Sequence, residues 1–171
     1  MYYFDITEMH DKVSDDLVRR LGFKKVFNIS WGIATTIQQR QGKRLIINPA
    51  TEAIARKAAR SKSVVAFVAN RNYTKKMLRE ISAEGKPLIF SARDLIFSDQ
   101  LIQRIIWNSD LLKRALHYKV KVAIASFARD SDEMRSAEQL IEMAKMLGAD
   151  EALSKRMLGA NGDIHDIEEE A

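Results

Sequence analysis

The chain has 171 residues, 46% hydrophobic and 30% charged, a balance that excludes a disordered chain and suits one globular domain with a real core. Its longest apolar run, VVAFVA at Val64 to Ala69, falls far short of the roughly 18 residues a membrane span requires. The absence of cysteine excludes disulfides, thiolate metal sites and cysteine nucleophiles.

Net charge is +5, unevenly placed: residues 1 to 162 carry all 28 Lys and Arg against 18 of the 23 acids, a net of +10. A body this basic implies a polyanionic partner, RNA or DNA being the commonest, or else a surface kept soluble by excess lysine. The remaining acids crowd the end DIHDIEEEA. Residues 161–171 are therefore read as an acidic, disordered tail on a single domain spanning 1–160. The start MYYFDI enters a strand at once, without the basic and apolar regions of a secretion signal, so a cytoplasmic location is expected.

In chain order, Tyr2 to Ile6 reads as a strand and Asp11 to Leu21 as a helix with Val13, Leu17, Val18 and Leu21 inward, stopped by Gly22. A second strand follows from Lys25 to Ser30. Trp31 to Gly42 has no clear period and reads as a short helix or an irregular loop. Arg44 to Ile47 is a third strand. Thr51 caps a helix to Ser61, in which Ala55, Ala58 and Ala59 allow close packing. Val64 to Ala69 is a fully buried strand, Asn72 to Glu84 a helix stopped by Gly85, and Leu88 to Ser91 a fifth strand leading into a loop at Ala92 to Asp94. A long helix begins at Ser98. Its period places Leu101, Ile102, Ile105, Leu112 and Leu116 on the core face and Gln103, Trp107, Asp110 and Arg114 opposite. After a turn at His117 to Lys119, Val120 to Ser126 is nearly all apolar or small, as befits a parallel strand covered on both faces. Helix Ser136 to Leu147 and a short helix around Glu151 to Leu158 complete the chain. Alternation of strands and helices from end to end means an α/β fold, and the pattern fits either a barrel or an open doubly wound sheet.

Enzyme signatures are sparse. There is no G-x-x-x-x-G-K, G-x-G-x-x-G or G-x-S-x-G motif. The three histidines, His10, His117 and His165, are scattered and form no His-x-His pair. Asp5 at the end of the first strand reads as a buried carboxylate bonded to loop amides, and Ser126 as a turn cap. The arginines point elsewhere. Arg71 follows the fourth strand, Arg93 the fifth, and Arg129 and Arg135 the sixth, positions that share one edge of a parallel sheet. Arginine suits phosphates because its planar fork donates paired hydrogen bonds. The competing reading pairs Arg93 with Asp94 and Arg129 with Asp130 as loop salt bridges. Arg56, Lys57, Arg60, Lys75, Lys76 and Arg79 form a second basic set on outer helix faces. Trp107, beside Gln103 and Arg114 and opposite the core face, is read as an anchor for a protein partner, or as covered by the C-terminal segment.

The segment LLKRALHYKVKVAIASFARD followed by EMRSAEQLIEMAKMLGADEALSKRML resembles the C-terminal half of the barrel-shaped protein subunit of archaeal and eukaryotic ribonuclease P, called component 3 in archaea. Ala125, Ser126, Phe127, Ala128 and Arg129 stand where that family has a small-residue turn, Met134 to Ser136 where a further helix opens, and Met146 to Gly148 where it ends. FDI at Phe4 to Ile6, Ala55 to Ala69 and EGKPLIFS at Glu84 to Ser91 extend the likeness. Phe127 replaces the family's usual Gly, and the region from Ser30 to Lys43 is compressed.

The resemblance implies a TIM-barrel-like α/β fold of the metal-dependent phosphoesterase type and an RNA-binding subunit of the endonuclease that removes the 5′ leader of precursor tRNA. It implies that the RNA subunit holds the catalytic Mg²⁺, so the chain itself carries neither cofactor nor catalytic centre. The implied partners are ribonuclease P RNA, precursor tRNA, the small ferredoxin-like protein component 2 and the other protein subunits, with no membrane. Arg71, Arg93, Arg114, Arg129 and Arg135 are the candidate RNA-binding residues, and Trp107 and Gln103 the candidate partner contacts. The alternatives are a metal-dependent barrel phosphoesterase or amidohydrolase, and a protein-interaction scaffold unrelated to RNA.

Overall fold

A computed structural model describes residues 3–9, 12–28 and 45–169. The elements run β1 (Phe4–Thr7), α1 (Asp15–Arg20), β2 (Lys25–Asn28), β3 (Leu45–Ile47), α2 (Glu52–Arg60), β4 (Val64–Val68), α3 (Lys75–Ala83), β5 (Leu88–Ser91), α4 (Ala92–Ile96), α5 (Leu101–His117), β6 (Val122–Ala125), α6 (Ala137–Met146) and α7 (Glu151–Glu169). This is the expected α/β class, and among the described residues every strand pair is parallel. β1 pairs with β2, and β3, β4, β5 and β6 form a second sheet in sequence order.

The two sheets meet where β1 lies beside β6. Phe127 N–H donates to the Ile6 carbonyl at 2.9 Å, and Glu8 N–H to the Ala128 carbonyl at 2.8 Å. The result is a barrel-like row, β2-β1-β6-β5-β4-β3. Whether Trp31 to Gly42 joins its two ends lies outside the described residues.

Strand alternation separates two apolar faces. Leu45, Ile47, Phe67, Leu88, Phe90 and Ile124 meet the helices, with Ala58 and Ala59 of α2, Met77 and Leu78 of α3, Leu112 of α5 and Leu140 of α6. Ile6, Phe27, Ile46, Ala66, Val68, Ile89 and Ala123 face the other way. Local chemistry sets the helix ends. Thr51 accepts from Ile54 N–H at 3.3 Å. Ser136 and Gln139 cap each other reciprocally at 3.2 and 2.9 Å. Gly22 and Gly85, at φ of 81° and 66°, stop α1 and α3 in the left-handed conformation that glycine adopts without strain.

Three expectations are corrected. Ala92 to Asp94 is not a loop but the start of α4, capped by Ser91, whose side chain accepts from Asp94 N–H at 3.1 Å. The core face of α5 holds only in part: Leu111, Leu112 and Ala115 are buried, whereas Leu101 and Ile102 in the first turn and Leu116 in the last are 44%, 76% and 40% exposed. For Leu101 and Ile102 the reason is length, since 17 residues of helix span about 25 Å at 1.5 Å each, and four residues of β6 only about 13 Å. The N-terminal half of α5 therefore overhangs the C-terminal edge of the sheet.

The third correction concerns the tail. α7 runs to Glu169 and is not disordered from residue 161; Asn161 and Ile164 are buried. Asn161 Nδ2 donates to the Phe4 carbonyl of β1 at 3.0 Å and the Ile124 carbonyl of β6 at 2.7 Å, joining the two sheets a second time. Ala160 and Ile164 then pack on the inner face beside Ile6 and Ala125. Gly162 permits this approach, because a Cβ there would meet the Phe4 ring at 2.8 Å. Composition marks the segment as an acidic tail, but Met157, Asn161 and Ile164, at helical spacing, carry it into the fold. Among the described residues, no helix is long and apolar enough to cross a membrane.

Candidate nucleic-acid interface

The loops after the parallel strands form one rim, and the structure divides the candidate residues along it. At the β1–β6 corner, Asp5 is fully buried. Its Oδ1 accepts from Ile6 N–H at 2.8 Å and Ser126 N–H at 2.7 Å, while the Ser126 hydroxyl donates to Oδ2. Burial pushes the Asp5 carboxyl up to about 6, opposed by the hydrogen bonds from Ser126 and Ile6. Asp5 is thus a structural carboxylate bonded to backbone amides. Ser126 also accepts from Ala128 N–H at 3.3 Å, the expected turn cap. Phe127 holds φ at 48° with its side chain buried, so the turn after β6 takes a left-handed residue at this position, and a core aromatic occupies it.

Arg93 and Arg129 converge at this corner, but not on the adjacent aspartates. Arg93 Nε lies 2.9 Å from Glu133 Oε2. The same oxygen accepts from the Arg129 backbone N–H at 2.9 Å, and Arg129 Nε lies 3.2 Å from Glu8 Oε2. Asp130 instead folds its own turn, accepting from Asp132 and Glu133 N–H at 3.0 and 2.9 Å. Arg135 donates to the Asp132 and Met134 carbonyls at 2.9 and 2.8 Å and lies 5.8 Å from the Phe97 ring centre. Arg114 is tied to Asp110 at 2.8 Å and to the Tyr73 carbonyl at 2.7 Å. That anchor joins α5 to the start of α3 and sets Arg114 apart from the rim loops.

The β3–β4 end of the rim differs. Here the overhanging half of α5 stands above the loops after both strands and encloses an open hollow of about 440 Å³ lined by Asn48, Asn70, Arg71, Asn72, Gln100, Arg104 and Trp107. The Arg71 guanidinium lies 5.5 Å from the Trp107 ring centre. Asn70 donates to Asn48 Oδ1 and accepts from Asn72 N–H, the latter at 2.8 Å. Trp107 is half-buried rather than fully exposed, and Gln103 is exposed. The sequence reading missed Asn48 and Arg104. Their signals were a post-strand position and a place three residues before Trp107, which identify a site only once the overhang is known.

The opposite side of α5 is apolar. A groove of about 520 Å³ runs between α4, α5 and α6 past Leu95, Ile96, Leu101, Ile105, Met143 and Met146, with Arg135 and Glu142 at its borders. Phe97, Ile102 and Ile106 nearby are 54%, 76% and 55% exposed. The second basic set lies on α2 and α3, where Arg56 pairs with Glu52 and Glu80, each at 3.1 Å, and Arg79 lies 5.3 Å from the Tyr118 ring centre. His10 lies outside the described residues. His117 meets the Tyr118 ring edge to face at 4.8 Å between centres. Among the described residues, no three His, Cys, Asp or Glu side chains could jointly hold a metal ion.

No family model and no curated protein matches the chain. Its fold is similar to that of a chain in the cryo-EM structure of archaeal Ribonuclease P with mature tRNA, at 14% sequence identity and a TM-score of 0.71, covering 99% of this chain and 83% of that one.

Proposed function

We propose that this chain is a protein subunit of ribonuclease P, of the kind called component 3, which binds RNA and supports RNA-catalysed removal of the 5′ leader from precursor tRNA in the cytoplasm. The observation that carries this reading is the fold similarity over nearly the whole chain to a chain of that ribonucleoprotein, and the motifs around Ser126 to Ser136 point to the same family. Composition and geometry support it independently. A body of net +10 places arginines on one rim of a parallel sheet, where they can neutralise phosphates that would otherwise repel as the RNA folds. In this reading the RNA subunit holds the Mg²⁺ and performs the chemistry.

Arg71, Arg93, Arg129 and Arg135 are the proposed RNA contacts, Arg93 and Arg129 exchanging their carboxylate partners for phosphate on binding. Arg114, held by Asp110 and Tyr73, acts as a positioning residue for α5. The proposed protein partner is the small ferredoxin-like component 2, alongside the other protein subunits. The exposed Phe97, Ile102 and Ile106 support a protein neighbour on that side of the molecule.

Reconstitution tests the reading. Adding the chain to its cognate RNA and companion proteins should lower the Mg²⁺ concentration required for 5′ cleavage. An unchanged Mg²⁺ requirement would refute it, as would metal-dependent cleavage by the purified chain.

A further inference from the structure

We propose that the hollow above β3 and β4 binds a single unpaired nucleotide of an RNA strand, its base against Trp107 and its phosphates on Arg71 and Arg104. The proposal deepens the RNA-binding reading by giving it a site and a ligand form.

Three observations converge. First, Arg71 and Arg104 make no ion pair among the described residues, Asp94 lining the adjoining cleft beside them, and both are exposed at the hollow. Phosphate can engage them without displacing an internal ion pair, as it must at Arg93 and Arg129. Second, Trp107 is half-buried and already offers one ring system to the Arg71 guanidinium. Aromatic and guanidinium planes are the surfaces on which unstacked bases settle, and a base inside a duplex has no free face to offer them.

Third, apart from Pro49 and Ala50, the remaining lining is carboxamide. Asn70 is spent on Asn48 and on the Asn72 amide, and that pairing fixes the rim loops. Asn48 Nδ2 and the side chains of Asn72 and Gln100 remain available as donors and acceptors suited to base edges. At about 440 Å³ the hollow lies in the lower part of the roughly 300–1,000 Å³ range of small-ligand sites. A protein anchor pocket would be apolar, as the groove on the other side of α5 is. The lining at Trp107 therefore favours RNA over the protein contact expected from sequence.

The chain has two tryptophans, so Trp31→Phe leaves Trp107 as the only indole reporter. Titrating that full-length chain with single-stranded oligouridylate should quench its emission to saturation, and a blunt RNA duplex of equal length should not. Trp107→Ala should weaken oligouridylate binding about 5- to 150-fold, the range for loss of one stacked base. Arg104→Ala, at an exposed position whose loss leaves the fold intact, should lower the log-log salt slope by about 0.7.

Equal quenching by duplex and single strand would overturn the proposal. So would oligouridylate binding that is indifferent to Trp107→Ala, or a Trp107→Ala variant that loses its companion protein while keeping its RNA affinity. The two levels of inference fail separately. A lowered Mg²⁺ requirement without Trp107-dependent binding sinks the nucleotide site alone, and Trp107-dependent binding without any effect on cleavage sinks the ribonuclease P reading alone.

Discussion

The two ends of the rim use the same residue type in opposite ways. At the β1–β6 corner the arginines are held by Glu8 and Glu133, and the strands beneath are tied by Asp5, Ser126 and Asn161. At the β3–β4 end Arg71 and Arg104 face an open hollow beside Trp107. Position after a strand places an arginine on the rim, and the carboxylates that tertiary structure delivers decide whether it is committed to the fold or open to a ligand. Substitutions at the first corner should therefore read out mainly as stability, and those at the second mainly as affinity.

The largest effect is expected from Asn161→Ala. Its amide donates to backbone carbonyls on both β1 and β6. Its orientation is unambiguous, since the reverse flip would turn an oxygen toward two carbonyl oxygens. Removing it leaves two acceptors unpaired at about 1–3 kcal/mol each, so urea melts should show a loss of about 2–6 kcal/mol with RNA affinity per folded molecule unchanged. Intact stability would mean that α7 contributes little to joining the sheets.

Next in size is a pH effect from Asp5. Its folded pKa of about 6 lies above the ordinary carboxyl value of 3.8, so its contribution to stability is complete below about pH 4 and is lost as pH rises through 6. Relative to Asp5→Asn, the wild-type chain should lose about 3 kcal/mol between pH 4 and pH 7, from the conversion of about two pKa units at 1.36 kcal/mol each. Parallel melts of both proteins at the two pH values check the sign. Parallel stability curves would show that the carboxylate is as comfortable as its charge-free replacement.

How much of this was legible in the sequence follows from the range of each interaction. Caps and stops are local, so Thr51, Ser126, Gly22 and Gly85 were read in their observed roles. The exposed half of α5 was not, because periodicity orients a helix but does not say where the sheet beneath it ends. The competing reading of Arg129 and Arg93 as loop salt bridges named the wrong carboxylates for a related reason. Asp94 and Asp130 are adjacent in sequence, whereas Glu8 lies 121 residues from Arg129 and Glu133 lies 40 from Arg93. The inward turn of α7 was hidden by the acids that surround Asn161 and Ile164.

A third test moves the boundary between the two ends of the rim. Glu133→Gln keeps an oxygen for the Arg129 amide but removes the charge that holds Arg93. The freed guanidinium should tighten RNA binding about two- to fivefold at low salt, the range of a partly exposed ion pair, and the gain should vanish at high salt. Unchanged affinity at low salt would show that Arg93 serves the fold alone.

The smallest effect, and the finest test of the comparison, is the coupling between Glu8 and Arg129. The two side chains are 12% and 60% exposed, so solvent screens the pair and a double-mutant cycle of Glu8→Ala and Arg129→Ala should give a coupling of about 0.2–1 kcal/mol. The corresponding cycle of Arg129 with Asp130 should give none, since Asp130 is engaged by the Asp132 and Glu133 amides. If RNA takes Arg129 from Glu8, the Glu8–Arg129 coupling measured in the presence of RNA should reverse sign, because Glu8 then repels the phosphate that Arg129 holds. Arg129→Lys should retain most of the salt dependence and lose part of the affinity, keeping the charge without the paired donors. A coupling that is the same with and without RNA would place Arg129 permanently with Glu8, and would leave the β3–β4 end as the RNA-binding half of the rim.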